Sequence, residues 1–152
     1  MLALRMVRLI ETHSDELAQG LLDKLQSSRL CIDMRKVPAE ELRRRSYEIY
    51  RNLGDWLVNK ADRDIEDTFG EIAKRRAAQG VALSQLLWAL LITKEHLWEF
   101  LQGERLADQV LELFGELELL WRVDHFFDRA VHASARAYEE HAVHPLSLAA
   151  AS

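Results

Sequence analysis

Apolar residues return at three- and four-residue steps along almost the whole of this chain, and that spacing is the strongest constraint on its fold. Between about residues 2 and 27 the stripe reads Met6, Ile10, His13, Leu17, Leu21 and Leu25, with Ser14-Asp15-Glu16 able to start a second helix partway along. After Pro38 it resumes as Leu42, Ser46, Ile49, Leu53 and Trp56, and after a break near Val58 to Asp62 as Ile65, Phe69, Ile72 and Ala73. A fourth helix is expected over about 82–102, ended by Gly103. The last is expected from near Glu104 to about Ala142, with Leu106, Val110, Leu113, Leu117, Leu120, Phe127 and Val131 inward. Asp124 interrupts that stripe, and Gly115 marks a bend or a chain break. Six glycines and two prolines in 152 residues leave few sites for turns, and no stretch alternates as a strand does. The fold expected is all-α: a bundle of five to six helices with a long C-terminal helix.

Punctuation agrees with the spacing. Pro38 followed by Glu40 and Glu41 starts a helix, because proline is tolerated in the first turn and acids suit its positive end. Lys74-Arg75-Arg76 lies where cations oppose the dipole, and Gly80 is placed to cap the same helix. Residues 28–37 read as a connection. Arg43-Arg44-Arg45 reads as a solvated face, with Glu40–Arg44 and Glu41–Arg45 as i,i+4 pairs.

The stretch LLWALLITKEHLWEF, residues 86–100, holds seven consecutive apolar residues, whereas a bilayer crossing needs about 20. Leu83, Leu87, Leu90, Leu97 and Leu101 share one direction, while Trp88 and Ile92 point another way. A helix apolar on several sides is central, covered by other helices or by a second copy. The four tryptophans, Trp56, Trp88, Trp98 and Trp121, are expected in the core.

Chemistry is thinly represented. The net charge of −5 argues against a nucleic-acid partner, which requires a dominant basic face. One cysteine, Cys31, excludes an intramolecular disulfide and reads as a small buried or half-exposed thiol. Arg5 and Arg8 interrupt the apolar N-terminus, so it is not a signal peptide, and a cytoplasmic setting is expected. None of the six histidines follows a glutamate by three residues, HExxH is absent, and His141 and His144 precede a proline without further ligands. Asp128 and His132 read as a surface i,i+4 pair. No metal, no cofactor, no catalytic residue and no enzymatic activity are expected. The competing reading is a haem- or small-ligand-binding globin that uses His96 or His125. In the last helix Ala130, Ser134 and Ala137 share a small-residue face that lets another helix approach closely.

Three segments carry a family likeness: RNLGDWL (51–57), RRAAQGVALSQLLWALLITKEHLWEFL (75–101) and DHFFDRAVHASARAYEEH (124–141). The Arg76–Gly80 turn with Leu83 after it, and the late Tyr138, belong to the same pattern. Together they resemble the N-terminal domain of RsbR-type stressosome proteins, the RsbT co-antagonist N-terminal domain, also found ahead of some histidine kinases. The resemblance implies a globin-like fold that binds no haem, a homodimer, and a sensory role in which the last helix continues towards an output domain such as a STAS or kinase module. Here the chain stops soon after Tyr138, so an excised input domain and a stand-alone member acting on a partner protein are both open. The expectation is one sensor domain over residues 1–143 and a tail over 144–152. Ala130, Ser134, Ala137 and Tyr138 are its candidate dimer or signalling seam.

Overall fold

The computed structural model describes residues 2–103 and 110–143, and the side chains of 4–103 and 117–142. Among the described residues six α-helices follow one another: α1 Leu2–Thr12, α2 Ser14–Ser27, α3 Ala39–Arg51, α4 Asp62–Ala78, α5 Leu83–Gly103 and α6 Val110–Val143. The architecture is all-α, and no strand occurs among the described residues. The expected onset of the last helix near Glu104, with Leu106, and the tail 144–152 lie outside the described residues, as do the side chains of Val110 and Leu113. No helix among the described residues is long and apolar enough to cross a membrane.

Helices α1 and α2 are nearly continuous. The chain turns at His13, whose Nδ1 donates to Leu9 O at 2.8 Å, and Asp15 and Glu16 then occupy the first turn of α2. The connection expected over 28–37 is itself helical: a 3₁₀ segment over Arg29–Lys36, kinked at Cys31, which buries Cys31 and Met34. A short π-turn over Asp55–Asn59 joins α3 to α4. Long helix α6 packs on α4, α5 and α1, while α2 packs on α3 and α5. The core they enclose includes Ile10, Leu21, Tyr50, Leu53, Leu97 and Phe126, all fully buried. Trp56, Phe69 and Phe126 form an aromatic cluster with ring centroids 5.4–6.5 Å apart, joining the π-turn to α4 and α6.

Four expectations need correction. The inward face of α6 is not set by Leu117 and Leu120, which are 51% and 38% exposed; it is set by Leu119, Val123, Phe126, Phe127 and Ala130. Because LELLW is apolar in several helical directions, spacing alone cannot choose which side meets the core. Trp88 and Trp121 are not core residues, being 39% and 66% exposed, while Trp56 and Trp98 are half-buried. Helix α5 is not covered all round: Leu86, Ala89, Leu90, Thr93, Leu97 and Leu101 are buried, but Trp88 and Leu91 face outward. Glu41 does not sit on a solvated face with Arg45; it is buried against two arginines of α4, and Arg45 lies 3.6 Å from Glu48.

Candidate functional site

Helix α4 ends in a Schellman turn. Val81 N–H bonds to Arg76 O at 3.0 Å and Gly80 N–H to Ala77 O at 3.0 Å, with Gly80 in the left-handed region at φ +84°. A side chain other than glycine's is strained at that φ, which is why the helix ends there.

The next three residues are each held by a different side chain. Lys36 Nζ donates to Gly80 O at 3.0 Å, Tyr138 Oη donates to Val81 O at 2.6 Å, and Asp33 Oδ2 accepts from Ala82 N–H at 2.9 Å. Asp33 and Lys36 come from the 3₁₀ segment and lie 3.3 Å apart; Tyr138 comes from the end of α6. Gln85 Oε1 accepts from Asp33 N–H at 2.6 Å, tying the first turn of α5 to the same segment. The α4–α5 turn is therefore clamped between the 3₁₀ segment and the last turns of α6. Burial pushes the Tyr138 hydroxyl up to about 12, against the lowering charge of Arg76, so it stays protonated and a donor. The Ala82 N–H, helped by Lys36, holds the Asp33 carboxyl below its ordinary value against the opposing effect of burial.

One turn earlier on α4, Arg76 is buried with 3% of its side chain exposed and meets Glu41, 6% exposed, from α3. Arg76 Nη1 lies 3.3 Å from Glu41 Oε1 and donates to Gln79 Oε1 at 2.9 Å; Gln79 Nε2 donates to Glu41 Oε2 at 3.0 Å, and Arg75 Nε donates to Oε1. Burial alone would raise the Glu41 pKa. The hydrogen bonds from Arg75 and Gln79 and the charge of Arg76 outweigh it and hold the carboxyl at about 2. This network fixes the helix end from which the clamped turn departs.

Tyr138, expected at the signalling seam, is thus brought to the Arg76–Gly80 turn. Ala130, Ser134 and Ala137 are buried within the chain itself, so their small-residue face is occupied by its own helices. His96 and His125 lie elsewhere. His96 Nε2 donates to Leu17 O at 3.0 Å and its ring lies against Gly20, where a Cβ would stand 2.9 Å from Cε1. Burial, aided by the charge of Lys24, keeps the His96 pKa below its ordinary value. His125 Nε2 bonds to Asp62 Oδ1 at 2.7 Å, and its ring stacks on Trp121. Each Nε2 is engaged with a protein acceptor. Among the described residues, no three of His, Cys, Asp or Glu gather around a cation position. The clamp residues that spacing did not reveal are Asp33 and Lys36, in a segment read as a connection, Glu41, on a face read as solvated, and Gln79, at a helix end.

No curated protein and no solved structure matches the chain. The model of the RsbT co-antagonist protein rsbRD N-terminal domain matches residues 5–148, a span that holds the whole clamp from Asp33 to Tyr138. The chain belongs to the RsbT co-antagonist protein rsbRD N-terminal domain family, whose members are stressosome-related signalling input domains.

Proposed function

We propose that this chain is a non-enzymatic sensor domain, cytoplasmic in setting and spanning residues 1–143, that pairs with a second copy and relays a conformational change along α6 to an output domain or partner protein. The observation that carries the reading is the Tyr138–Val81 hydrogen bond of 2.6 Å. It couples the C-terminal turns of α6 to the α4–α5 turn, so a displacement at either end is felt at the other. Relay of this kind needs an element with two arrangements biased from both sites, and a single part-buried hydrogen bond backed by a left-handed glycine provides a place where one arrangement is held. The family's signalling character supports the same reading, and it is not a known enzyme family.

Support for pairing comes from the apolar side chains left outward: Trp88 and Leu91 on α5, and Leu117 and Leu120 on α6. A Lys94–Asp124 ion pair at 3.5 Å links the two helices that carry them. A twofold partner would bury such side chains against its own copies of them. Light scattering at micromolar concentration should read a dimer, and the double variant Trp88→Ser with Leu117→Ser should dissociate at least about tenfold more readily. A clean wild-type monomer would remove the pairing from the proposal. For the relay, Gly80→Ala should speed amide exchange in residues 136–142 as well as in the turn. Exchange that changes only around residue 80 would show that the two ends are not coupled.

A further inference from the structure

A second place in the molecule is shaped to receive a ligand. The π-turn Asp55–Asn59 closes with a Lys60 N–H to Asp55 O bond of 2.9 Å, five residues back. Such turns recur at functional sites, because the added residue displaces side chains from the ordinary helical register. Here the turn borders a half-open cleft of about 190 Å³ between its own residues, the start of α4 and the middle of α6. The floor is apolar, formed by buried Ile65 and Phe126, and one wall is Trp56. Trp121 also lines it, stacked on His125 with centroids 5.6 Å apart and planes 18° from parallel. Drug-sized ligands occupy about 300–1,000 Å³, so a cleft of this size suits a single small ring system.

Charge decides which kind of ring. Asp62 at the rim is already satisfied, bonded by His125 at 2.7 Å and facing Arg129 at 3.6 Å. Arg122 reaches in from α6, where its Nη1 donates to Leu57 O at 3.1 Å and its Nε faces Glu118 at 3.3 Å. Lys60 lies with Nζ 5.9 Å from the centre of the Trp56 ring and makes no ion pair among the described residues. A cationic ligand would compete with Lys60 for the Trp56 face and be repelled by it. An anion would instead complete the lysine's pairing.

We propose that this cleft binds a small aromatic anion, its ring held between Trp56 and the Trp121–His125 stack and its carboxylate on Lys60 and Arg122. Aromatic flanks supply the stacking energy, and a charge-assisted bond to Lys60 supplies selectivity over neutral rings. Binding is measured directly, so the result is independent of whether α6 relays a signal.

The test is a titration of the ¹⁵N-labelled full chain with benzoate, following the four tryptophan indole N–H signals, with benzamide as the neutral match. Trp56 and Trp121 should shift saturably in the millimolar range while Trp88 and Trp98 stay still. Benzamide should bind about tenfold more weakly, and so should benzoate to Lys60→Met or Trp121→Ala. Trp121 is exposed, so its loss leaves the fold intact, which circular dichroism checks. Absence of a saturable shift, equal shifts at Trp88 and Trp98, benzamide binding as tightly as benzoate, or unchanged affinity in both variants would each overturn the proposal.

Discussion

Glu41→Gln isolates the buried charge network at the end of α4. The glutamine keeps the shape and the hydrogen-bonding reach of the side chain, but removes the negative charge that Arg75 and Arg76 face. In the folded protein Glu41 is held at about 2, against 4.5 for a glutamate free in water, as in the unfolded chain. At 1.36 kcal/mol per pH unit, that difference is worth about 3 kcal/mol of stability at neutral pH. The sign follows from the depressed folded value: the contribution is present above pH 4.5, declines as pH falls below it, and is gone below about 2. Leaving Arg76 buried without its counter-charge gives a similar figure independently, since breaking a buried pair from one side costs about 3–5 kcal/mol. Urea unfolding followed by circular dichroism at pH 7 should therefore show Glu41→Gln less stable by about 3 kcal/mol. The same measurement at pH 3 should show that gap reduced by more than half. Other depressed carboxylates, Asp33 and Asp62 among them, titrate in both proteins and cancel in the comparison. A loss under about 1 kcal/mol at pH 7, or a gap that does not narrow with acid, would refute the assignment of Glu41 as a charged, paired core group.

Three further outcomes follow from the geometry. Gly80→Ala should lower stability by about 1–2 kcal/mol in thermal unfolding, because the left-handed φ of +84° penalises any Cβ, and Gly80→Asn should recover part of it. Tyr138→Phe removes the donor to Val81 O and should cost about 1 kcal/mol, with faster amide exchange in residues 80–83. Gly20→Ala sets a methyl group against the His96 ring and should cost about 1–3 kcal/mol; adding His96→Ala should relieve most of it, and an additive double variant would disprove the contact.

The helical identity of nearly every segment was legible because a helix declares itself locally. Three- and four-residue apolar steps, Pro38 with its two acids, and Gly80 after a basic last turn are each read within a few residues of chain. The arginine-to-glycine turn and Tyr138 were legible as a pattern through family likeness. That they meet was not legible, because Val81 and Tyr138 are 57 residues apart and joined by one hydrogen bond. Asp33 and Lys36 gave no signal at all: a 3₁₀ segment of eight residues has too little apolar repeat to separate it from a loop.

The sequence by itself thus determined the all-α class, the helix ends marked by Pro38, Gly80 and the Ser14-Asp15-Glu16 restart, and the inward stripes of α1 to α4, since each depends on neighbours one turn away. Only the tertiary structure decided which side of α5 and α6 meets the core. There leucine and tryptophan are offered in several directions, and packing against α4 and α1 selects Leu119, Val123 and Phe126 over Leu117, Leu120 and Trp121. It also decided the fate of the charges. Glu41 has an arginine four residues ahead of it in sequence, yet it is buried with Arg76 and capped from the surface by the exposed Arg75. A carboxylate removed from water is held by the guanidinium that shares its burial and by its further hydrogen-bond donors, whereas an exposed helical pair is worth only a few tenths of a kcal/mol.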